Sequence, residues 1–155
     1  MTDATEPRVA VSPAVVTPYL CAKGAGQAIE FYKQAFGAAE IVRLIDDSGR
    51  VSHAEIQIGG APIYLADEFP EIDVLSPETI GGSAVLIVLQ VPDADALFGQ
   101  AVAAGATIER PLADGFGGAH RTGKVIDPFG HHWLIMSIRE AMSPDELQRR
   151  AGSEQ

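Results

Sequence analysis

Two stretches of the chain carry apolar residues at helical spacing. From Ala28 to Ala38, apolar side chains recur at positions i, i+1, i+4, i+7 and i+8 and form one stripe. The stretch from Ala96 to Ala106 repeats this pattern. Glycine readily adopts the left-handed conformation that ends many helices, and Gly37 and Gly105 occupy that place. The pattern predicts two matching helices.

Apolar runs of strand length surround each helix in the same order. One run precedes each helix, at residues 15–20 and 84–89. Three further strand candidates follow each helix, separated by residues typical of turns. They are residues 40–45, 52–58 and 61–66 in the first half, and 107–111, 124–126 and 132–138 in the second. Each half is therefore predicted to be a βαβββ module.

Helix caps complete the prediction of elements. Asp93 or Asp95 can cap the second helix by accepting hydrogen bonds from its first amides. Ser143-Pro144-Asp145-Glu146 has the form of a capping box and predicts a short helix to about Arg150.

The domain organisation follows from these elements. We predict a disordered tail at residues 1–13, one domain at 14–140, and a C-terminal helix and tail at 141–155. The domain consists of modules 14–67 and 83–140, joined by the linker 68–82.

Sequence fragments along nearly the whole chain resemble one family. They are Pro18-Tyr19-Leu20, the helix from Ala28 to Ala38, His53-Ala54-Glu55, Ile58-Gly59-Gly60, Leu65-Ala66-Asp67-Glu68, Ser76-Pro77, Gly81-Gly82 and Asp127-Pro128-Phe129-Gly130-His131-His132-Trp133. Their order and spacing resemble the vicinal oxygen chelate superfamily of glyoxalase I, bleomycin-resistance proteins and extradiol dioxygenases, and specifically its PhnB-like branch. The resemblance implies an α+β fold in which two tandem βαβββ modules form a pair of half-barrels around a ligand cavity. It also implies a homodimer.

The resemblance raises the question of a metal. In enzymes of this superfamily, one His, Glu or Gln from each of four strands holds a divalent ion, which leaves open positions for two substrate oxygens. Here the matching positions fall near Thr17, Tyr64, Leu86 and Leu134, which are not ligands of that kind. The sequence therefore predicts that the usual four-ligand site is absent and disfavours glyoxalase-type isomerisation and extradiol cleavage.

A displaced metal site is the alternative. Strand alternation places His53 and Glu55 on one face. With Asp67 and with His120 from the second module, His53 could hold one divalent ion such as Zn, Ni, Mn or Fe. His53 and Glu55 could instead provide a general base. The simpler interpretation is that His53 and Glu55 form hydrogen bonds across strands.

Further residues are candidates for binding a ligand. Arg121 is a candidate catalytic residue beside His53 and Glu55: it could anchor a carboxylate or phosphate by a bidentate contact, or form a salt bridge, for example to Asp127. The cavity would suit an apolar or aromatic ligand. The residues predicted to line it are Tyr64, Leu86, Val88 and Trp133.

Composition narrows the classes of partner. The chain has 155 residues, with 11 Lys and Arg against 21 Asp and Glu, a net charge of −10. This acidic excess argues against nucleic acid or an anionic membrane as a partner. No apolar run approaches the length of a membrane span and the first residues do not resemble a signal peptide, so we expect a cytoplasmic protein.

Two functions from different classes follow from the sequence. The first is a metal-free protein that binds a small, partly apolar ligand, as in the bleomycin-resistance branch. The alternative is a glyoxalase- or dioxygenase-type lyase, isomerase or oxygenase that uses the displaced metal.

Overall fold

The computed structural model describes residues 13–154, which form two four-stranded sheets and their helices. The first module contains β1 (Tyr19–Ala22), α1 (Ala25–Phe36), β2 (Ala39–Ile45), β3 (Val51–Ile58) and β4 (Ala61–Asp67). A 3-10 turn (Pro70–Ile72) and α2 (Pro77–Ile80) follow. The second module contains β5 (Leu86–Gln90), α3 (Ala94–Ala104), β6 (Thr107–Gly115), β7 (His120–Ile126) and β8 (His132–Ile138), and α4 (Pro144–Ser153) comes last. The predicted tail at residues 1–13 lies almost entirely outside the described residues.

The two sheets have the same topology, which confirms the predicted pair of βαβββ modules. Their strand orders are β1-β4-β3-β2 and β5-β8-β7-β6. In each sheet the first strand runs parallel to the last, and the other neighbours are antiparallel. The sheets remain separate and open, so within residues 13–154 neither closes into a barrel.

Several strand boundaries differ from the prediction. The first strand begins at Tyr19 and not at residue 15, and Val16 is 97% exposed. Pro18 has no amide hydrogen and cannot donate a hydrogen bond to a neighbouring strand. The strand therefore begins after Pro18. In the second module, β6 continues to Gly115 and β7 begins at His120, so both strands are longer than predicted. Their turn is confined to residues 116–119, where Phe116, Gly117 and Gly118 have positive φ.

The helix caps follow the prediction. The Asp93 side chain accepts a hydrogen bond from the Ala96 amide, so Asp93 rather than Asp95 caps α3. Gly37 has a φ of 67° and ends α1. Ser143 caps α4 through the Glu146 amide, although the helix continues past the predicted end to Ser153. No helix in the described part of the chain is long and apolar enough to cross a membrane.

Each sheet has one face against the helices and one face towards solvent. On β3, Ala54, Ile56 and Ile58 are buried, and they alternate with the more exposed His53 and Glu55. On β8, Trp133 and Ile135 are buried in the same way. We call the opposite surface of each sheet its open face. The open face of the first sheet carries Tyr19, His53, Glu55 and Tyr64, and that of the second carries Leu86, Val88, His132 and Leu134.

The two modules are held together by more than the chain between them. Helix α1 packs against α3. The Tyr32 hydroxyl on α1 donates a hydrogen bond to Asp127, and His131 Nε2 lies 2.8 Å from the carbonyl oxygen of Cys21. Tyr19 of β1 and Leu86 and Val88 of β5 line one cavity at this junction.

Candidate functional site

Three polar side chains form a hydrogen-bonded series on the open face of the first sheet. The Tyr19 hydroxyl lies 2.7 Å from His53 Nδ1, and His53 Nε2 lies 3.2 Å from Glu55 Oε1. Tyr19 belongs to β1 and the other two residues to β3, with β4 between these strands. The register places Tyr64 of β4 directly opposite both Tyr19 and Glu55. The pairing of β1, β4 and β3 therefore brings the side chains of Tyr19, His53 and Glu55 together on one face of the sheet.

Aromatic contacts hold the series in place. The Tyr64 ring meets the Tyr19 ring edge-on with centroids 5.8 Å apart, and it meets the His53 ring at 5.1 Å. Such edge contacts are favourable for aromatic rings. Tyr19 is 54% exposed, and the His53 and Glu55 side chains are 27% and 35% exposed. The series is ordered by its neighbours and is still accessible to a ligand.

The direction of the hydrogen bonds follows from the chemistry of the groups. Burial, and secondarily the nearby Cys21 thiol, raise the pKa of Tyr19, so its hydroxyl keeps its proton at neutral pH. An ionised Glu55 carboxylate can only accept hydrogen bonds. When the imidazole is neutral, Nε2–H therefore donates to Glu55 and Nδ1 accepts from Tyr19.

Tyr19 also lines two cavities. The first, of about 470 Å³, lies beneath the segment 69–74 and is bounded by Ala66, Phe69 and Val74. The Arg50 guanidinium stacks 4.0 Å from the centre of the Phe69 ring and pairs with Glu71, which supports this segment. The second cavity, of about 490 Å³, lies at the junction of the modules. Leu86 and Val88, both predicted to bind a ligand, line this second cavity.

The predicted catalytic residues are brought together only in part. His53 and Glu55 are in contact, as described above. Arg121 faces the helices, where it pairs with Asp95 at 2.8 Å and with Asp114 at 3.3 Å. The Asp95 carboxylate, followed by Asp114, raises the pKa of Arg121. The structure therefore places Arg121 in a salt-bridge network on the other face of the second sheet.

The three residues of the displaced metal site have separate environments. Asp67 Oδ1 accepts hydrogen bonds from the Gly24 and Ala25 amides, and its Oδ2 accepts one from the Val51 amide. Both of its oxygens are therefore engaged at the start of α1 and β3. His120 opens β7 and meets the Phe116 ring edge-on at 4.8 Å.

The donor set as a whole does not fit a divalent metal. Within residues 13–154, no group of three or more His, Cys, Asp or Glu side chains is placed to hold an ion. Tyr64, Leu86 and Leu134, at or near three of the usual ligand positions, lie on the open faces, and their side chains are not the imidazole or carboxylate groups that hold such an ion.

Trp133 is part of the core. Its side chain is 1% exposed, and its ring contacts those of Phe36 at 4.7 Å and Tyr32 at 5.6 Å. Its Nε1–H donates to Asp127 Oδ2 at 2.9 Å. The ring also borders a 160 Å³ cleft that Val88 shares, but Trp133 does not belong to the open face.

Tyr19 links the polar series to both cavities, but no role was predicted for it from the sequence. One signal could have identified it. The usual position of a family ligand on the first strand falls near Thr17, and Tyr19 is the polar residue at which β1 begins.

This chain is similar to known proteins over most of its length. The sequence profile of the glyoxalase/bleomycin resistance protein/dioxygenase superfamily matches residues 14–135. A protein of Mycobacterium tuberculosis is 38% identical over 147 residues, which cover 93% of this chain and 85% of that protein.

Solved structures show the same fold. The crystal structure of an Arabidopsis thaliana gene product has 28% identity and a TM-score of 0.64, covering 82% of this chain and 99% of the other. A fosfomycin resistance protein of Listeria monocytogenes, crystallised with Mn(II) and a dihydroxypropylphosphonic acid, has 16% identity and a TM-score of 0.62. The match covers 91% of this chain and 99% of that one. At this identity the likeness concerns the fold alone.

Proposed function

Because this chain belongs to the glyoxalase/bleomycin resistance protein/dioxygenase superfamily, we propose that it binds a small, partly apolar ligand around Tyr19 without the usual four-ligand metal site. The observation that carries the proposal is the position of Tyr19 between two cavities of about 470 and 490 Å³. Cavities of this size are typical of small-molecule sites.

The lining of the site indicates the chemistry of the ligand. Phe69, Val74, Leu86 and Val88 offer apolar contacts on both sides of Tyr19. Tyr19, which is hydrogen-bonded to His53 and through it to Glu55, offers a polar group within this apolar lining, and a few such groups orient a ligand in an apolar site. The net charge of −10 favours neutral or cationic ligands over anionic ones.

Titration with an uncharged fluorescent probe, N-phenyl-1-naphthylamine, tests the proposal. We expect saturable binding to the wild-type protein. Leu86→Asp places a charge in the second cavity and should weaken binding about tenfold or more, since a charge opposes burial of an apolar molecule. Ile80→Asp is the matched control, because Ile80 lies on α2 and is 66% exposed. Absence of saturable binding, or equal loss in both variants, would contradict the proposal.

A second copy of the chain would complete the site. Leu86, Val88 and Ile138 are 39%, 53% and 43% exposed, which leaves apolar side chains uncovered on the open face of the second sheet. A homodimer would remove this surface from water, which stabilises association. Light scattering after size-exclusion chromatography should give the dimer mass. Val88→Lys should shift the protein towards the monomer, whereas Ile80→Lys should leave its mass unchanged. A monomeric wild-type protein would refute the homodimer.

A further inference from the structure

The Tyr19–His53–Glu55 series has the composition of a proton relay. The hydroxyl of Tyr19, a residue that lines both cavities, is joined to an imidazole, and the imidazole is joined to a carboxylate. An imidazole held in this way can accept a proton at Nδ1 while the carboxylate at Nε2 stabilises the resulting positive charge. A ligand in either cavity would meet the Tyr19 end of the series first.

We propose that this relay ionises a phenolic or enolic hydroxyl of the bound ligand without a metal. The proposal rests on ligand binding around Tyr19, as proposed above. The ligand O–H bond breaks and its proton bonds to the Tyr19 oxygen. At the same time the original Tyr19 O–H bond breaks and that proton bonds to His53 Nδ1. The products are a ligand oxyanion beside neutral Tyr19 and an imidazolium beside Glu55, so protons and charge balance.

The surroundings of His53 support this direction of transfer. Leu44 lies opposite His53 on β2, the Tyr64 ring meets it from β4, Tyr19 reaches it from β1, and Glu55 is its ion-pair partner on β3. A positive charge on His53 would therefore be next to one carboxylate and surrounded by uncharged groups. The raised pKa of Tyr19 means that its hydroxyl passes a proton on and does not remain ionised.

The ligand class follows from the same geometry. A hydroxyl on an aromatic ring or an enol loses its proton far more readily than an alcohol does, and its remaining surface is largely apolar. Such a molecule can place its ring against Leu86 and Val88, or against Phe69 and Val74, with its oxygen at Tyr19.

4-Nitrophenol is the probe for the test, because its phenolate absorbs visible light and its neutral form does not. Difference spectra are recorded at a pH equal to the pKa of the free probe, which lies above the ordinary imidazole pKa of about 6.5. Wild-type protein should raise the phenolate-to-phenol ratio of the bound probe about tenfold. His53→Gln should bind the probe without this increase, and Tyr19→Phe should also abolish it. His120→Gln is the matched control, since it changes a histidine that contacts Phe116 in the second module, and its spectrum should equal that of wild type.

The outcomes separate the relay from simple binding. A neutral bound probe in the wild-type protein would overturn the relay, as would full ionisation in His53→Gln. If N-phenyl-1-naphthylamine binds and 4-nitrophenol does not, the relay is overturned while the proposed binding function stands. If neither probe binds, both proposals fail.

Discussion

The Tyr32 hydroxyl donates a hydrogen bond to Asp127 Oδ2 at 2.5 Å and so joins helix α1 of the first module to the turn before β8 of the second. Tyr32 is fully buried and Asp127 is 4% exposed. Asp127 accepts three further hydrogen bonds, from the amides of Phe129 and His131 and from Trp133 Nε1. One carboxylate therefore orders both the turn and the contact between modules.

Removing the Tyr32 hydroxyl should destabilise the protein. Tyr32→Phe leaves Asp127 with one donor fewer in a buried place, where a missing hydrogen bond costs about 1–3 kcal/mol. Urea unfolding should show this loss in the free energy of unfolding. Tyr64→Phe is the control, because the Tyr64 ring lies on the open face, and it should change the stability by less than about 0.5 kcal/mol. Equal stability of the two variants would mean that the hydrogen bond between the modules contributes little.

Glu68 should make the stability of the protein depend on acid pH. The Ser76 hydroxyl, followed by Thr79 and the Ser76 amide, lowers the pKa of Glu68 to about 2. The Ser76 amide and hydroxyl lie 2.8 and 2.6 Å from Glu68 Oε1. The pKa of Glu68 is lower in the folded protein than in the unfolded chain, where it is about 4.3. The ionised Glu68 therefore stabilises the fold fully above pH 4.3, and this stabilisation is lost as the pH falls towards 2.

Glu68→Gln tests this contribution. The variant should lose about 1 kcal/mol at neutral pH and should show a flatter decline between pH 4.3 and 2. Unfolding by urea at a series of pH values measures both quantities. Glu78→Gln is the control, since Glu78 is an exposed residue of α2 with a 4.0 Å contact to Lys23. Parallel pH profiles for wild type and Glu68→Gln would contradict the prediction.

The sequence predicted the modules well because their signals are local. Helix α1 and its terminal Gly37, the Asp93 cap and the Ser143 cap all follow from spacing and from residue types at helix ends. The β6–β7 hairpin was underestimated because Arg110 and Ala113 border irregularities in its register, which interrupt regular alternation. Its pairing therefore depends on contacts across the sheet that a local pattern does not contain.

The site was harder to predict because it depends on register between distant strands. Alternation alone placed His53 and Glu55 on one face. Tyr19 meets them only because β1 lies parallel to β4 with Tyr19 opposite Tyr64. Asp67 was a candidate ligand of the alternative metal site, but its place at the end of β4 brings it to the amides that open α1. The sequence shows which residue types are present, but the fold determines which of them form hydrogen bonds with one another.

Asp67→Asn distinguishes a structural role for Asp67 from a metal-binding role. The carboxylate accepts hydrogen bonds from three backbone amides, whereas an amide side chain has only one oxygen with which to accept them. We expect a loss of about 1–2 kcal/mol in the free energy of unfolding, the range typical of a lost helix cap. Asp73→Asn, in the exposed segment after the 3-10 turn, should have little effect. Unchanged stability of Asp67→Asn together with loss of a bound metal would contradict the structural role.

Removal of divalent metals should leave ligand binding intact. Both Asp67 oxygens accept backbone hydrogen bonds, and His120 contacts Phe116, so His53 gains no third ligand from either residue. We therefore expect dialysis against EDTA to change the affinity for N-phenyl-1-naphthylamine by less than about twofold. A tenfold change in affinity would correspond to about 1.4 kcal/mol of binding free energy.

Elemental analysis before and after dialysis, and again after addition of Zn, Ni, Mn or Fe(II), measures the metal content directly. Stoichiometric metal that is lost in His53→Ala but kept in His132→Ala would establish a metal site at His53 and would favour the metalloenzyme alternative. The Tyr19–His53 hydrogen bond would then have to break for Nδ1 to bind an ion, so the 4-nitrophenol signal and metal binding at that nitrogen should exclude each other.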